Sequence, residues 1–168
     1  DDDFASSVGE FEDLDALKEA IREDLRREAE RESEQEVRSR LLDLVIEANP
    51  FEVPRSLVDG YIEQVLGNGE DVTQERLAEA RARLRPQAER AVKRALIIDR
   101  IAETQSLRAT EDEVDERVEA IAERNETSPA KVYARLQKAG RLSSLERDIT
   151  EEKVFDFLEG ESKITEAD

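Results

Sequence analysis

The chain has 168 residues, with 44 acidic and 26 basic side chains and a formal net charge of −18. Cysteine, histidine, methionine and tryptophan are absent, which excludes disulfides, catalytic thiols, imidazole bases and soft-metal sites. The length suits one domain or two small lobes. Because 38% of the residues are hydrophobic and only 4% are aromatic, we expect an extended shape and not a thick core.

The lack of methionine and the start at Asp1 suggest a piece of a longer protein. The negative charge argues against direct binding to nucleic acids or to anionic membranes, and no apolar run is long enough for a signal peptide or a membrane span. The charge is uneven, since residues 75–100 hold eight basic and four acidic side chains. The ordinary interpretation of such a run is a solvent-exposed helix face paired with the protein's own acids.

Six helices are predicted, with no convincing strand after the first few residues, so the fold class is all-α. The first helix covers residues 13–49, with Asp13 placed to cap its free amides. Between residues 26 and 36 the only apolar residue is Ala29, so this stretch needs charge pairs to stay helical. We therefore predict a long helix that bridges two packed regions through solvent and is held by Glu23–Arg27, Glu34–Arg38 and Glu36–Arg40.

Residues 50–109 are predicted to form an antiparallel helical hairpin. Its first helix begins near Pro54, because the missing amide of proline costs nothing in a first turn, and it ends at Gly67-Asn68-Gly69. Thr73 is expected to cap the second helix, which Pro86 should kink or divide. The first helix has a wide apolar stripe, formed by Leu57, Val58, Tyr61, Ile62, Val65 and Leu66.

Residues 110–168 are predicted to contain three further helices. Thr110–Glu113 has the spacing of a capping box, in which a hydroxyl and a carboxylate each satisfy a free amide. Ser143–Glu146 repeats that spacing before the last helix. Between them, Ser128-Pro129 should start a short helix that Gly140 ends.

Nothing in the sequence indicates catalysis, a cofactor or a metal. Paired carboxylates occur by chance in a chain this acidic, and no feature marks a site that would perturb their pKa values. A calcium loop with its turn glycine and a phosphate-binding glycine loop are both missing from the sequence. We therefore predict no catalytic residue, no cofactor and no metal ligand in this chain.

Two predicted helices have more apolar surface than one packing face needs. Leu96, Ile97 and Ile101 fall off the main stripe of their helix, and the last helix changes its apolar face before Phe155 and Leu158. One interpretation is that neighbouring helices cover these residues in a central body. The other is that part of this surface stays exposed and binds other chains, as large apolar patches usually do.

The sequence resembles a known family at several points. Asn49-Pro50-Phe51-Glu52-Val53-Pro54 ends a long helix, and after it come Leu57-Val58, Arg90 to Ile101 and the capped acidic helix at Thr110. Together these features resemble the C-terminal domain of trigger factor, the ribosome-associated chaperone of bacteria. Phe4 to Phe11 is similar to the strand that leaves the isomerase domain of that family, so residues 1–12 are interpreted as its remnant.

The resemblance implies an ATP-independent cytoplasmic chaperone module that binds unfolded or nascent polypeptides without a cofactor. In that family a helical body and two arms form a cradle, similar to the peptide-binding region of the periplasmic chaperone SurA. Residues 50–109 would then supply the first arm with part of the body, and residues 110–168 the second arm. Ribosome docking and prolyl isomerisation would belong to domains that these residues do not include.

Eight apolar residues of the predicted arms and body are expected to contact unfolded polypeptide. They are Tyr61, Leu66, Ile97, Ile101, Tyr133, Leu136, Phe155 and Leu158. The alternative is a structural or adaptor module whose helices pair only with a partner or with a second copy of the chain. A tight dimer without affinity for unfolded chains would favour that alternative. An enzymatic function would require a cleft with perturbed carboxylates.

Overall fold

A computed structural model of the chain describes residues 2–9, 11–67 and 74–165. In this part of the chain there are seven helices and no strand, which confirms the all-α class. The predicted turn residues Asn68 and Gly69 and the predicted cap Thr73 lie outside the described residues. The helices are α1 (Asp2–Val8), α2 (Leu14–Ala48), α3 (Arg55–Leu66), α4 (Gln74–Thr104), α5 (Glu111–Arg124), α6 (Pro129–Lys138) and α7 (Leu142–Gly160).

The first element differs from the expectation. Where Phe4 to Phe11 resembles a strand, residues Asp2–Val8 form the short helix α1. A strand is stable only when a neighbouring strand pairs with its backbone, and the described residues contain no such neighbour. The backbone therefore satisfies its hydrogen bonds within a helix.

The chain divides into two units, residues 1–41 and residues 42–168, with the boundary inside α2. In the first unit, Asp13 caps α2 as predicted, because its Oδ1 accepts a hydrogen bond from the Ala16 amide at 2.7 Å. Leu17 is buried, whereas every residue from 21 to 36 is exposed.

Charge pairs along the exposed part of α2 replace tertiary packing. The predicted pair of Glu36 and Arg40 is present at 2.5 Å, and Arg26 pairs with Glu30 at 2.9 Å. Arg27 forms its ion pair with Asp24, three residues earlier, and not with the predicted Glu23. Because each exposed pair contributes only a few tenths of a kcal/mol, several are needed to keep such a stretch helical.

In the second unit, α3 and α4 form the predicted antiparallel hairpin. Val58, Ile62 and Ala88 are its buried core, and Val53, Leu66 and Leu84 pack against them. Pro86 lies inside one continuous helix, so it does not divide α4.

Helices α5, α6 and α7 pack on one another and form what we call the three-helix cluster. Its core consists of Val114, Val118, Ala122, Val132 and Ile149. Helix α4 also packs against α7, and buried side chains concentrate in the second halves of both helices. These are Val92, Ile97 and Ala102 on α4, and Val154, Phe155 and Leu158 on α7.

The capping box at the start of α5 is confirmed. The Thr110 hydroxyl accepts from the Glu113 amide at 3.3 Å, and the Glu113 carboxylate accepts from the Thr110 amide at 2.8 Å. The same carboxylate contacts Lys153 Nζ of α7 at 2.7 Å. Hydrogen bonds from Lys153 and then from the Thr110 amide lower the pKa of Glu113 below its ordinary value.

The second predicted capping box, Ser143–Glu146, is wrong. Helix α7 begins at Leu142, and its N-cap residue Arg141 makes no side-chain capping bond. The turn before it fixes this start, because Gly140 adopts φ +64° and the Arg141 amide donates to the Leu136 carbonyl at 2.9 Å. Such a C-terminal motif leaves no loop in which a serine could act as a cap.

None of the helices among the described residues is long and apolar enough to cross a membrane.

We expect Ile62→Ala to lower the free energy of unfolding by about 2–5 kcal/mol, because the removed atoms leave a cavity in the hairpin core. Val65→Ala, one turn along the exposed side of α3, should change it by less than about 0.5 kcal/mol. Urea unfolding followed by circular dichroism measures both values. Equal losses in the two variants would contradict the assigned burial.

We also expect the ion pair of Glu113 to stabilise the chain in a pH-dependent manner. Because the pKa of Glu113 is lower in the folded chain, its contribution is present above the ordinary carboxyl pKa of about 4.3 and is lost as the pH falls through the lowered value. Glu113→Gln keeps a capping acceptor but loses the charge. Its melting temperature should be below that of the parent chain at neutral pH and equal to it in acid, and an equal difference at both pH values would contradict the assigned ion pair.

Candidate functional site

Helix α3 is apolar around about half of its circumference, but α4 covers only part of that face. Val58 and Ile62 are buried against α4, whereas Leu57, Tyr61 and Val65 are 45%, 37% and 54% exposed. Their spacing of four residues places these three on one flank of the helix. We call Leu57, Tyr61 and Val65 the α3 stripe.

A shallow pocket lies beside the α3 stripe. Tyr61 and Val65 line it together with Leu84 and Gln87 of α4, and its volume is about 80 Å³. Since sites for small-molecule ligands usually measure about 300–1,000 Å³, this pocket suits a single apolar side chain and not a metabolite. Gly60 adjoins the stripe in the sequence, and apart from its chain neighbours and the local backbone of α3 no atom lies within 4 Å of the position that a Cβ would take there.

The opposite flank of the hairpin is charged and internally paired. Asp59 Oδ1 on α3 accepts a hydrogen bond from Arg85 Nη2 on α4 at 2.6 Å. One turn further, Glu63 Oε1 lies 3.8 Å from Arg81 Nη2. The hairpin therefore has one flank held by ion pairs and one flank with exposed apolar side chains.

Basic residues in the middle of α4 border a second cavity, of about 400 Å³. Arg90, Lys93 and Arg94 face the acids Asp43 and Glu47 there, together with Ile46. Arg94 Nη1 lies 3.8 Å from Asp43 Oδ1, and Lys93 Nζ lies 5.8 Å from the centre of the Phe51 ring. Arg94 is thus paired with an acid of the chain, as predicted for the basic run, whereas Arg90 and Lys93 only border the same acids.

The three-helix cluster has a more polar cavity, of about 370 Å³. Its apolar walls include Val114 and the ring of Tyr133, and its acids are Glu111, Asp115 and Glu146. The Tyr133 hydroxyl donates a hydrogen bond to Asp115 Oδ1 at 2.6 Å. That hydrogen bond, followed by burial and by the three negative charges, raises the pKa of Tyr133.

No part of the described chain is organised as a metal site, since no cluster of three or more acidic residues there could hold an ion. The perturbed groups Glu113, Arg117 and Tyr133 owe their pKa shifts mainly to hydrogen bonds with charged side chains of neighbouring helices. Such pairs hold the three-helix cluster together, because Lys153 and Glu152 of α7 are two of the partners.

Five of the eight predicted contact residues are exposed or half-buried. Tyr61 is exposed on the α3 stripe, and Leu66 is half-buried against the hairpin core. Ile101 is half-buried on α4. In the three-helix cluster, Tyr133 and Leu136 are also half-buried, and both pack on the core of that cluster.

The remaining three predicted contacts are buried. Ile97, Phe155 and Leu158 are 8%, 4% and 9% exposed, so α4, α7 and their neighbours cover the surplus apolar surface that suggested a binding role. Their burial agrees with the interpretation that neighbouring helices cover these residues in a central body. Their contact with another chain stays a prediction.

Sequence reasoning placed Leu57 and Val65 in the apolar stripe of their helix but not among the predicted contact residues, although both are more exposed than every residue of that set. The available signal was the width of the apolar stripe on α3. Six apolar residues among ten positions cannot all face one neighbouring helix. The pattern thus showed that α3 has more apolar residues than one neighbouring helix can cover, but it could not show which of them α4 would cover.

Exposed apolar residues on a helical hairpin of an all-α chain are typical of a helical interaction module. A family model described as bacterial trigger factor protein C-terminus matches residues 13–159. The chain therefore belongs to the trigger factor family, and it corresponds to the C-terminal part of the proteins in that family. This assignment supports the chaperone module that the sequence resemblance implied.

Individual relatives agree with the family assignment. Trigger factor of Desulforamulus reducens is 31% identical over 180 residues and that of Geotalea daltonii 33% identical over 182, each covering 99% of this chain. Trigger factor of Desulforudis audaxviator is 33% identical over 178 residues. The chain spans about two fifths of the length of these relatives, 41% in each case.

We expect the Tyr133 hydroxyl to ionise above the ordinary tyrosine pKa of about 10, because Asp115 accepts its proton in a hydrogen bond. The chain has two tyrosines, so in a Tyr61→Phe variant the ultraviolet absorbance of phenolate reports Tyr133 alone. Adding Asp115→Asn should shift that titration to lower pH. An unchanged midpoint would contradict the geometry of the pair.

Proposed function

We propose that this chain is an ATP-independent chaperone module that binds unfolded or nascent polypeptides through exposed apolar side chains. The observation that carries the proposal is the α3 stripe, which stays uncovered on the hairpin although its helix is packed. Membership of the trigger factor family supports the same function. The pocket between Tyr61, Val65 and Leu84 offers a place for one apolar side chain of the bound polypeptide.

Weak apolar contacts account for binding without a nucleotide. Covering apolar area yields about 25 cal/mol per Å², so about 200 Å² contributes about 5 kcal/mol before the cost of ordering a flexible chain is subtracted. The binding free energy that remains after this subtraction is small, so the bound polypeptide can be released rapidly. A side chain leaves the pocket by thermal motion, and no chemical step has to supply energy.

The net charge of −18 supports this function by preventing self-aggregation. A protein with uncovered leucine, valine and tyrosine side chains is prone to associate with its own copies. Mutual repulsion between strongly negative molecules opposes that association. The charge thus keeps the stripe available for other chains.

Functions of the whole parent protein belong to the same proposal. Ribosome association and peptidyl-prolyl isomerisation, which the family resemblance implies, are assigned to parts of the parent outside the matched residues 13–159. Catalysis is accordingly not assigned to this chain. Residence in the cytoplasm follows from meeting nascent chains at the ribosome.

A second candidate function is a structural or adaptor module that pairs with a partner helix or a second copy. The exposed Ile21 and Leu25 on α2, 48% and 59% accessible, favour it, because they continue the apolar spacing of the buried Leu17. Sedimentation equilibrium distinguishes the two functions. A tight dimer that lacks affinity for unfolded chains would replace the chaperone proposal.

We expect Tyr61→Ser combined with Val65→Ser to weaken binding of an unfolded polypeptide about tenfold, because two apolar contacts worth about 1.4 kcal/mol together are lost. Suppression of aggregation of a denatured client protein, measured by light scattering, should fall accordingly. Circular dichroism checks that helicity is retained.

The matched control is Leu44→Ser combined with Ile164→Ser. These residues are 62% and 50% exposed and lie outside the hairpin, so the chemical change is similar but the stripe is intact. Suppression should remain near that of the unmodified chain. If the control loses as much as the stripe variant, the contact is not specific to the hairpin, and if neither loses any, the α3 stripe is not the binding surface.

A further inference from the structure

The α3 stripe is a single row of side chains with a regular repeat. Leu57, Tyr61 and Val65 follow one another at intervals of four residues on α3. Residues four apart on a helix lie about 6 Å apart, so the row measures about 12 Å from Leu57 to Val65. Within the helix the row cannot continue, because α3 begins at Arg55 and ends at Leu66.

This repeat is close to that of an extended polypeptide. A strand rises about 3.3 Å per residue, and its side chains alternate between two faces. Every second side chain therefore lies on the same face, in steps of about 6.6 Å, and three such side chains span about 13 Å. They fall beside the three residues of the α3 stripe with a mismatch of about 1 Å over the whole row.

The pocket beside the row is suited to an apolar side chain of such a segment. Tyr61 and Val65 line it from α3, and Leu84 and Ala88 line it from α4. The described residues around it carry no charge, and Gln87 is their amide. A charged side chain placed there would lose water without gaining a counter-charge.

Only one face of the bound segment can be covered by this surface. The rest of the apolar face of α3, at Val58 and Ile62, is already packed against α4. The row therefore stands alone at the edge of the hairpin core, and the side chains on the far face of a bound segment remain in water. Polar residues are favoured at those intervening positions, since exposing them costs nothing.

A helical ligand fits this row less well than an extended one. An amphipathic helix has an apolar face at least about 100° wide, which amounts to more than one column of side chains. A single row would leave part of that face in water. An extended segment of alternating polarity presents one column and matches the row.

A second copy of the chain is also a poor match for this surface. The three exposed side chains offer on the order of 200 Å² of apolar surface, whereas a stable dimer interface buries about 800 Å² on each partner. Two copies that each have a net charge of −18 repel each other as well. The size of the row therefore suits a short segment of flexible chain.

We propose that the α3 stripe binds extended segments of unfolded polypeptide in which apolar residues alternate with polar ones over about five residues. This inference rests on the proposed chaperone function and names the class of segment that the hairpin takes. Alternation of this kind is typical of strands that have one face buried in the folded protein. Such strands are prone to aggregate while they are unpaired, so the hairpin would cover them before their own sheet forms.

Two labelled peptides of identical composition test the proposal with the full 168-residue chain. Both contain three leucines among serines and glycines. In one peptide the leucines occupy alternate positions, and in the other they are three and four residues apart, as on an amphipathic helix. Fluorescence anisotropy should show the alternating peptide binding about three- to tenfold more tightly, because the other peptide, when extended, places at most two leucines on one face. Equal affinities, or a preference for the helical spacing, would overturn the proposal.

A third peptide, with only two alternating leucines, locates the contact. The unmodified chain should bind it about threefold more weakly than the peptide with three, since one apolar contact is missing. Leu57→Ser should remove this difference, because Tyr61 and Val65 still accept two side chains. Val65→Ser, at the other end of the row, should act in the same way, and circular dichroism checks that both variants stay helical.

The matched control is Leu44→Ser, which removes a leucine that is 62% exposed and lies outside the hairpin. It should keep the threefold difference between the peptides with three and two leucines. The proposal is wrong if the difference survives in both row variants, or if the control also removes it.

The outcome for this inference can be separated from that for the proposed function. If both three-leucine peptides bind equally and Tyr61→Ser with Val65→Ser weakens both, the chaperone function stands and the preference for alternation fails. If no peptide binds although aggregation of a denatured client is suppressed, the preference alone fails. If no peptide binds and the client is not protected, both fail.

Discussion

The central constraint in this molecule is that one helix can cover only one side of another. Helix α3 is apolar around half its circumference, and α4 packs against Val58 and Ile62 but leaves the α3 stripe in solvent. Packing α3 on α4 therefore stabilises the hairpin and at the same time leaves exposed the surface that we propose to bind polypeptide. A narrower apolar face would give the same hairpin without an exposed stripe, and a second covering helix would bury it.

Charge organises the rest of the hairpin around that constraint. Asp59 and Glu63 lie on the flank where Arg85 and Arg81 can neutralise them, so the α3 side of the other flank is free of acids. Elsewhere ion pairs have a structural role, as between Lys153 and Glu113 in the three-helix cluster or Glu36 and Arg40 on α2. The same residue types thus hold two helices together in one place and support a single exposed helix in another.

The helices could be predicted from the sequence because apolar spacing and caps such as Asp13 and Thr110 are local signals. Two local predictions failed where the deciding interaction was elsewhere. Phe4 to Phe11 has no neighbouring strand within residues 2–9, 11–67 and 74–165, and Gly140 sets the start of α7 before Ser143 is reached. The site residues were harder to predict from the sequence than the helices. Surplus apolar residues were recognised on α4 and α7, but periodicity does not reveal which neighbour covers Ile97 or Phe155.

Gly60 has a consequence for how the hairpin meets other chains. Within a helix, glycine is less favourable than alanine by about 1 kcal/mol, and the open space around this position shows that no close packing demands it. Helix α3 therefore depends on its packing against α4 for its helical state. Under the proposed chaperone function, the hairpin would present Leu57 and Tyr61 to other chains only while that packing is intact.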